Sequence, residues 1–112
     1  MIIFSERING MYRDVRAAIN ERNADVIQQL VRQQVEGGAD VIDINLGPTK
    51  GDPVDNFLWL ARTVHEVTPK PLSLDSAKPD LLVQVVPRVR NQLPDVKLII
   101  NSSTAAPDVM GK

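Results

Sequence analysis

Four short apolar runs, each breaking on a carboxylate or an amide, alternate along the chain with longer segments whose apolar residues recur every three or four positions. The first run, Met1 to Ser5, passes into Glu6-Arg7-Ile8-Asn9. The second, Ala39 to Asn45, carries Val41 and Ile42 into Asp43-Ile44-Asn45. The third, Leu72-Ser73-Leu74, stops on Asp75, and the fourth, Lys97 to Ile100, runs into Asn101-Ser102-Ser103. Short apolar runs of this kind, bounded by turn residues, read as β-strands. A charge at the end of one is the wrong residue for a strand that continues into a core, because an unpaired buried carboxylate is costly. Asp75 is therefore the first candidate for a functional group.

The intervening segments read as helices. Val15, Ala18 and Ile19 mark a short one between Met11 and Arg22. Asn23 as N-cap and Asp25 in the first turn open the next, whose stripe of Val26, Ile27, Leu30, Val31 and Val35 ends at Gly37-Gly38. Asp52 caps a third with Pro53 at its first position, and Val54, Phe57, Leu58, Ala61, Val64 and Val67 recur until Thr68-Pro69. Leu81, Leu82, Val85, Val86 and Val89 mark a fourth, which Pro87 should kink or shorten, and Thr104 to Lys112 reads as a tail without a full helix. The resulting β-α-β-α-β-α-β order predicts an α/β fold with right-handed crossovers and a parallel sheet. In such folds the loops at the C-terminal strand ends vary over a fixed scaffold and bind ligands, and all four polar tips fall on that edge.

At 112 residues the chain is expected to form a single domain, residues 1–112. Its 43% apolar and 24% charged residues lie far from the composition of disorder. The formal net charge of -1 arises from intermixed acids and bases, so there is no basic field to hold nucleic acid or a membrane surface. With no cysteine, disulfides and thiolate metal sites are excluded. The N-terminus has no basic n-region, and its apolar run is too short for a signal segment or a spanning helix. A cytoplasmic location is the expectation.

The converging residues are Glu6, Asn9, Asp43, Asn45, Asp75, Asn101 and Ser102. The single histidine, His65, lies on a helix, and no Gly-rich phosphate loop follows any strand, so thiol catalysis and nucleotide phosphate binding have no support. A carboxylate accepts two hydrogen bonds side by side, and an amide both donates and accepts. Together they suit a flat heterocycle with adjacent N–H and amino donors and ring acceptors, such as an aminopyrimidinone edge. Acids and amides on one rim could also hold Mg²⁺ or Ca²⁺ through oxygen. Phe57 and Trp59 read as packing anchors and Lys78 as a solvated lysine.

Phe4-Ser5-Glu6-Arg7-Ile8-Asn9-Gly10-Met11, Gly38-Ala39-Asp40-Val41-Ile42-Asp43-Ile44-Asn45-Leu46-Gly47-Pro48, Leu72-Ser73-Leu74-Asp75-Ser76 and Ile100-Asn101-Ser102 resemble, in order and spacing, the successive strand-end motifs of one family. It is that of the methyltetrahydrofolate:corrinoid (iron-sulfur protein) methyltransferases, pterin-binding TIM barrels related to the folate domain of cobalamin-dependent methionine synthase. The resemblance implies that Asp75 and Asn101 hydrogen-bond the pterin ring and that Asp43 and Asn45 line the same pocket. Glu6, Asn9 and Ser102 are lower-ranked pocket positions, and no metal ligand is implied. The reaction implied is transfer of the N5 methyl group of methyltetrahydrofolate to the cobalt of a cobalamin or other corrinoid carried by a partner protein. As the methyl leaves, N5 must gain a proton or a strong hydrogen bond.

A (β/α)₈ barrel needs roughly 250 residues, so the chain reads as the N-terminal (βα)₄ half of a pterin-binding TIM barrel, ending after strand four. The family's later pterin contacts, and the Asn that hydrogen-bonds N5, would lie on strands beyond it, and no catalytic residue is expected within it. Open edges at the first and fourth strands favour association, so either a longer polypeptide or a homodimer is expected to complete the barrel. Two alternatives stand beside this reading. One is a non-catalytic folate-binding or self-assembling half-barrel. The other is an enzyme like dihydropteroate synthase, whose usual Gly-Gly-Glu-Ser-Thr second-strand pattern Asp43-Ile44-Asn45-Leu46-Gly47-Pro48 does not match.

Overall fold

The computed structural model describes residues 1–101 of the chain. The elements follow in the order β1 (Phe4–Asn9), α1 (Arg13–Glu21), α2 (Ala24–Glu36), β2 (Val41–Asn45), α3 (Pro53–His65), β3 (Leu72–Asp75), α4 (Pro79–Gln92) and β4 (Leu98–Asn101). The strands make one parallel sheet in the order β1-β2-β3-β4. A sheet that adds each strand on the same side, with right-handed crossovers, places its helices on one face. The core agrees: Ile8, Ile42, Ile44, Leu72 and Leu74 cluster with Val15, Ile27, Phe57, Leu60, Val64 and Val85 from the helices. Because side chains alternate along a strand, Asp43, Ser73 and Asp75 point to the opposite face. This is the arrangement of a (βα)₄ half-barrel, with the helix-free face as its inside.

The first strand departs from expectation. It spans Phe4–Asn9, not Met1 to Ser5, and Met1, Ile2 and Ile3 are exposed ahead of it. The polar residues Glu6 to Asn9, read as lying past the end of the apolar run, belong to the strand, and Ile8 among them is fully buried in the core. The inner face of this sheet turns polar toward the C-terminal ends of its strands, as at Asp43, Asn45, Asp75 and Asn101, so polarity there does not end a strand. A bulge between Ser5 and Ile8 shifts the register, so that Phe4 pairs with Val41 but Asn9 pairs with Asn45.

Helix boundaries follow local chemistry. Asp52 accepts from the Val54 amide at 2.9 Å, and Pro53 follows it. Asn23 occupies the N-cap position of α2, but its side chain makes no cap bond. Arg22 ends α1 with φ of 57°, a left-handed conformation uncommon outside glycine. Its guanidinium bonds the Ile19 carbonyl at 2.9 Å and lies 5.2 Å over the Trp59 ring, contacts that offset the strain. Pro87 does not shorten α4, which continues to Gln92. The carbonyl deprived of its donor belongs to Val83, which is 72% exposed and faces water.

Both edges of the sheet carry exposed apolar side chains. Met1, Ile2, Ile3 and Phe4 lie at the β1 edge, while Val83 and Ile100 flank a groove between α4 and β4. Among the described residues no helix is long and apolar enough to cross a membrane. Ser102 and the predicted tail lie outside the described residues.

Candidate functional site

The rim of the site is built by loops that meet closely. Asn9 and Asn45 sit in register at the tips of β1 and β2. Asn9 Oδ1 accepts from the Met11 amide at 2.9 Å and Asn45 Oδ1 from the Gly47 amide at 3.0 Å, each closing its own turn. The Gly10 amide donates to the Asn45 carbonyl at 2.9 Å. A Cβ on Gly10 would lie 1.6 Å from the Leu46 carbonyl oxygen. One on Gly47, whose φ is +59°, would lie 2.7 Å from the Gly10 carbonyl carbon. Only glycine lets the two backbones approach this closely.

The loop after β2 is fixed by buried Asn56, whose Nδ2 donates to the Lys50 carbonyl at 2.8 Å and to Thr49 Oγ1 at 3.3 Å. The Lys50 amide donates to Asn20 Oδ1 at 2.8 Å. Sequence reasoning missed Asn56. Its signal is an amide set next to Phe57 within the buried stripe of α3. The loop after β3 is held by Ser76, whose Oγ accepts from the Lys78 amide at 3.0 Å and whose amide donates to the Asn101 carbonyl at 3.2 Å.

Between these loops lies a cleft of about 440 Å³ lined by Asn45, Thr49, Phe57, Asp75, Ser76, Lys78 and Leu81, among others. That volume lies within the range of small-molecule sites. Asp75 and Asn45 share it, and Asn101 stands beside Asp75 in the β3–β4 register. Further down the strands, Asp43 pairs in register with Ser73. Asp43 is 4% exposed and Ser73 is fully buried. Asp43 Oδ1, Ser73 Oγ and Asp75 Oδ1 are all buried without a hydrogen-bond partner.

Burial raises the Asp43 carboxyl from 3.8 to about 7. Hydrogen bonding by the Ser73 hydroxyl pulls it down, while hydrogen bonding with the neighbouring Asp75 carboxyl, the charge of Asp75 and, more weakly, that of Glu6 push it up. At neutral pH Asp43 is therefore poised between donor and acceptor. On the β1 side Arg7 pairs with Asp14 and lies 4.4 Å over the Tyr12 ring. That pairing holds the exposed Asp14 carboxyl below its ordinary value.

The structure thus brings together Asp43, Asp75 and Glu6 as one electrostatic group, with Asn45 and Asn101 beside Asp75. Asn9 is next to Asn45, but its Oδ1 is committed to the rim. Phe57, read as packing alone, is both buried and a wall of the cleft. Among the described residues no group of three or more His, Cys, Asp or Glu is placed to hold a metal ion.

No protein-family model matches the chain. It is 36% identical over 50 residues, 45% of its length, to the (5-formylfuran-3-yl)methyl phosphate synthase of Methanocaldococcus jannaschii, and spans 21% of that protein. It spans about a third of a second curated relative, the methylcorrinoid:tetrahydrofolate methyltransferase of Eubacterium limosum, 32% of whose length is covered. With that methyltransferase the chain shares 33% identity over 87 residues, 78% of its own length, so the resemblance carried by its strand ends is also a similarity across most of its sequence.

Proposed function

We propose that this chain forms the pterin-holding part of a methyltransferase that moves a methyl group between a folate and a corrinoid. The observation that carries the reading is Asp75: its Oδ1 is buried without a partner, beside Asn101 and on a cleft it shares with Asn45. A buried acceptor left unsatisfied is costly, and a ligand that brings paired N–H donors relieves it. The adjacent ring N–H and amino group of a pterin would meet Asp75 side by side. The Asn101 amide would take the neighbouring polar edge, and Asn45, whose Oδ1 is engaged, would offer its Nδ2. Asp43, set deeper and poised near neutrality, can donate or accept as the ring's protonation requires.

In the transfer, the bond between N5 and the methyl carbon breaks, the amine keeps the electron pair and gains a proton, and the methyl passes to the corrinoid substrate of a partner protein. The name of the Eubacterium limosum relative describes the reverse direction, and the same grip on the ring serves both. The residues described here hold and orient the ring. The remaining wall of the pocket would close against the open edges at β1 and β4, from further sequence or from a second copy.

Calorimetric titration of tetrahydrofolate into the chain and its Asp75→Asn variant tests the reading. The substitution keeps the shape but removes the charge, and hydrogen bonds to charged groups are worth about 1.5–3 kcal/mol. Binding should weaken at least tenfold. Equal affinities, or no binding by the unaltered chain, would contradict it.

A further inference from the structure

Ser73 lies on β3 between Leu72 and Leu74, both of which join the helix-covered core. Its side chain therefore stands on the inner face with Asp43 and Asp75. It is fully buried, and its Oγ has no hydrogen-bond partner. Asp43, its register partner on β2, is nearly as buried, and its Oδ1 is equally without one. Orphaned buried polar atoms are rare in folded proteins. Here a donor and an acceptor, neither of them in a well-formed hydrogen bond, occupy the same level of neighbouring strands, close enough for the hydroxyl to act on the carboxyl.

The titratable groups facing Asp43 are Asp75 from β3 and Glu6 from β1. Both are acids and raise Asp43, Asp75 through hydrogen bonding between the two carboxyls as well as through its charge. The β4 residues in register with Ser73 and Asp75 are Ile99 and Asn101, neither of which titrates, and the helices lie across the sheet. A serine hydroxyl carries one proton and rotates among staggered positions, so a change at one torsion brings the Ser73 hydroxyl into full hydrogen-bond geometry with Asp43 Oδ1.

We propose that Ser73 is a positioning residue of this pocket: its hydroxyl donates to Asp43 Oδ1 and turns the other carboxyl oxygen toward the ligand. The acid presented to a heterocycle is then the Asp43–Ser73 pair. The downward pull of Ser73 on the Asp43 carboxyl is the electrostatic counterpart of that contact. The ligand half of the proposal rests on the pterin reading, whereas the contact itself does not.

The test is a carbon-detected NMR titration of the Asp43 carboxyl in the ligand-free chain, in the unaltered protein and in Ser73→Ala and Ser73→Cys. Ser73→Ala deletes one oxygen from a buried site and leaves no overpacking, so it folds, which near-ultraviolet circular dichroism checks. Its Asp43 midpoint should rise by about one pH unit, the size expected for a lost hydrogen bond to a carboxylate. Ser73→Cys, close in shape and weaker as a donor, should fall between the two. An Asp43 midpoint unmoved by Ser73→Ala, or moved equally by Ser73→Cys, would overturn the proposal. A second arm follows the pH dependence of tetrahydrofolate affinity, whose midpoint should move with that of Asp43. If the unaltered chain binds no tetrahydrofolate, the pterin reading fails while the NMR arm still decides the role of Ser73.

Discussion

Replacing Asp43 by Asn should remove a pH dependence from the stability of the fold. In the folded chain this carboxyl holds its proton up to about pH 7, against an ordinary value of 3.8. Between those values the folded state binds more protons than the unfolded state. The sign is then fixed: stability falls as pH rises from about 4 to about 7 and levels above it. At about 1.36 kcal/mol per pH unit the full span is at most about 4 kcal/mol, and 4% exposure leaves little water to screen it. Asp14 works in a separate window, since its lowered value contributes stability that is lost as pH falls below the ordinary carboxylate range.

Urea unfolding followed by the fluorescence of Trp59, the single tryptophan, measures stability from pH 4 to pH 8. Asp43→Asn should match the unaltered chain near pH 4, lack the downward slope, and exceed it by up to about 4 kcal/mol above pH 7. Parallel curves for the two proteins would refute the argument. So would an unaltered chain that gains stability between pH 5 and pH 7.

Two further outcomes test the framework around the site. Gly10→Ala should cost at least about 2 kcal/mol in thermal unfolding, because the added Cβ meets the Leu46 carbonyl, which is backbone and cannot swing away. Asp52→Ala should cost about 1 kcal/mol through loss of its bond to the Val54 amide, while Asn23→Ala, at a cap position without such a bond, should cost measurably less in the same chemical denaturation assay.

What could be read from the chain, and what could not, divides along the two faces of the sheet. The helix-facing stripes were legible because apolar spacing is a direct consequence of burial against helices, and Val54, Phe57, Ala61 and Val64 fall where their periodicity placed them. Asp43, Asp75 and Asn101 stood out because each puts a charge or an amide where an apolar run ends. The inner face carries no such periodic signal. Glu6 to Asn9 read as lying past the end of the strand because an inward-facing polar residue and a solvent-facing one look alike in a sequence. Ser73 passed as a small residue in an alternating run, since nothing in a sequence separates a serine facing water from one buried beside an acid. The bulge in β1 and the Gly10–Gly47 crossing depend on a register shift and a backbone approach that only the folded chain displays.

Whether Asp75 and Asn101 grip one edge of a pterin ring is decided by a calorimetric double-mutant cycle with tetrahydrofolate. The chain, Asp75→Asn, Asn101→Ala and the double variant are each titrated at fixed pH and salt. Residues that share a ligand edge are energetically coupled by about 0.5–3 kcal/mol. Each single substitution should weaken binding, and the double variant should depart from additivity by an amount in that range. Two single variants that bind as well as the unaltered chain would contradict it, as would losses that add without coupling.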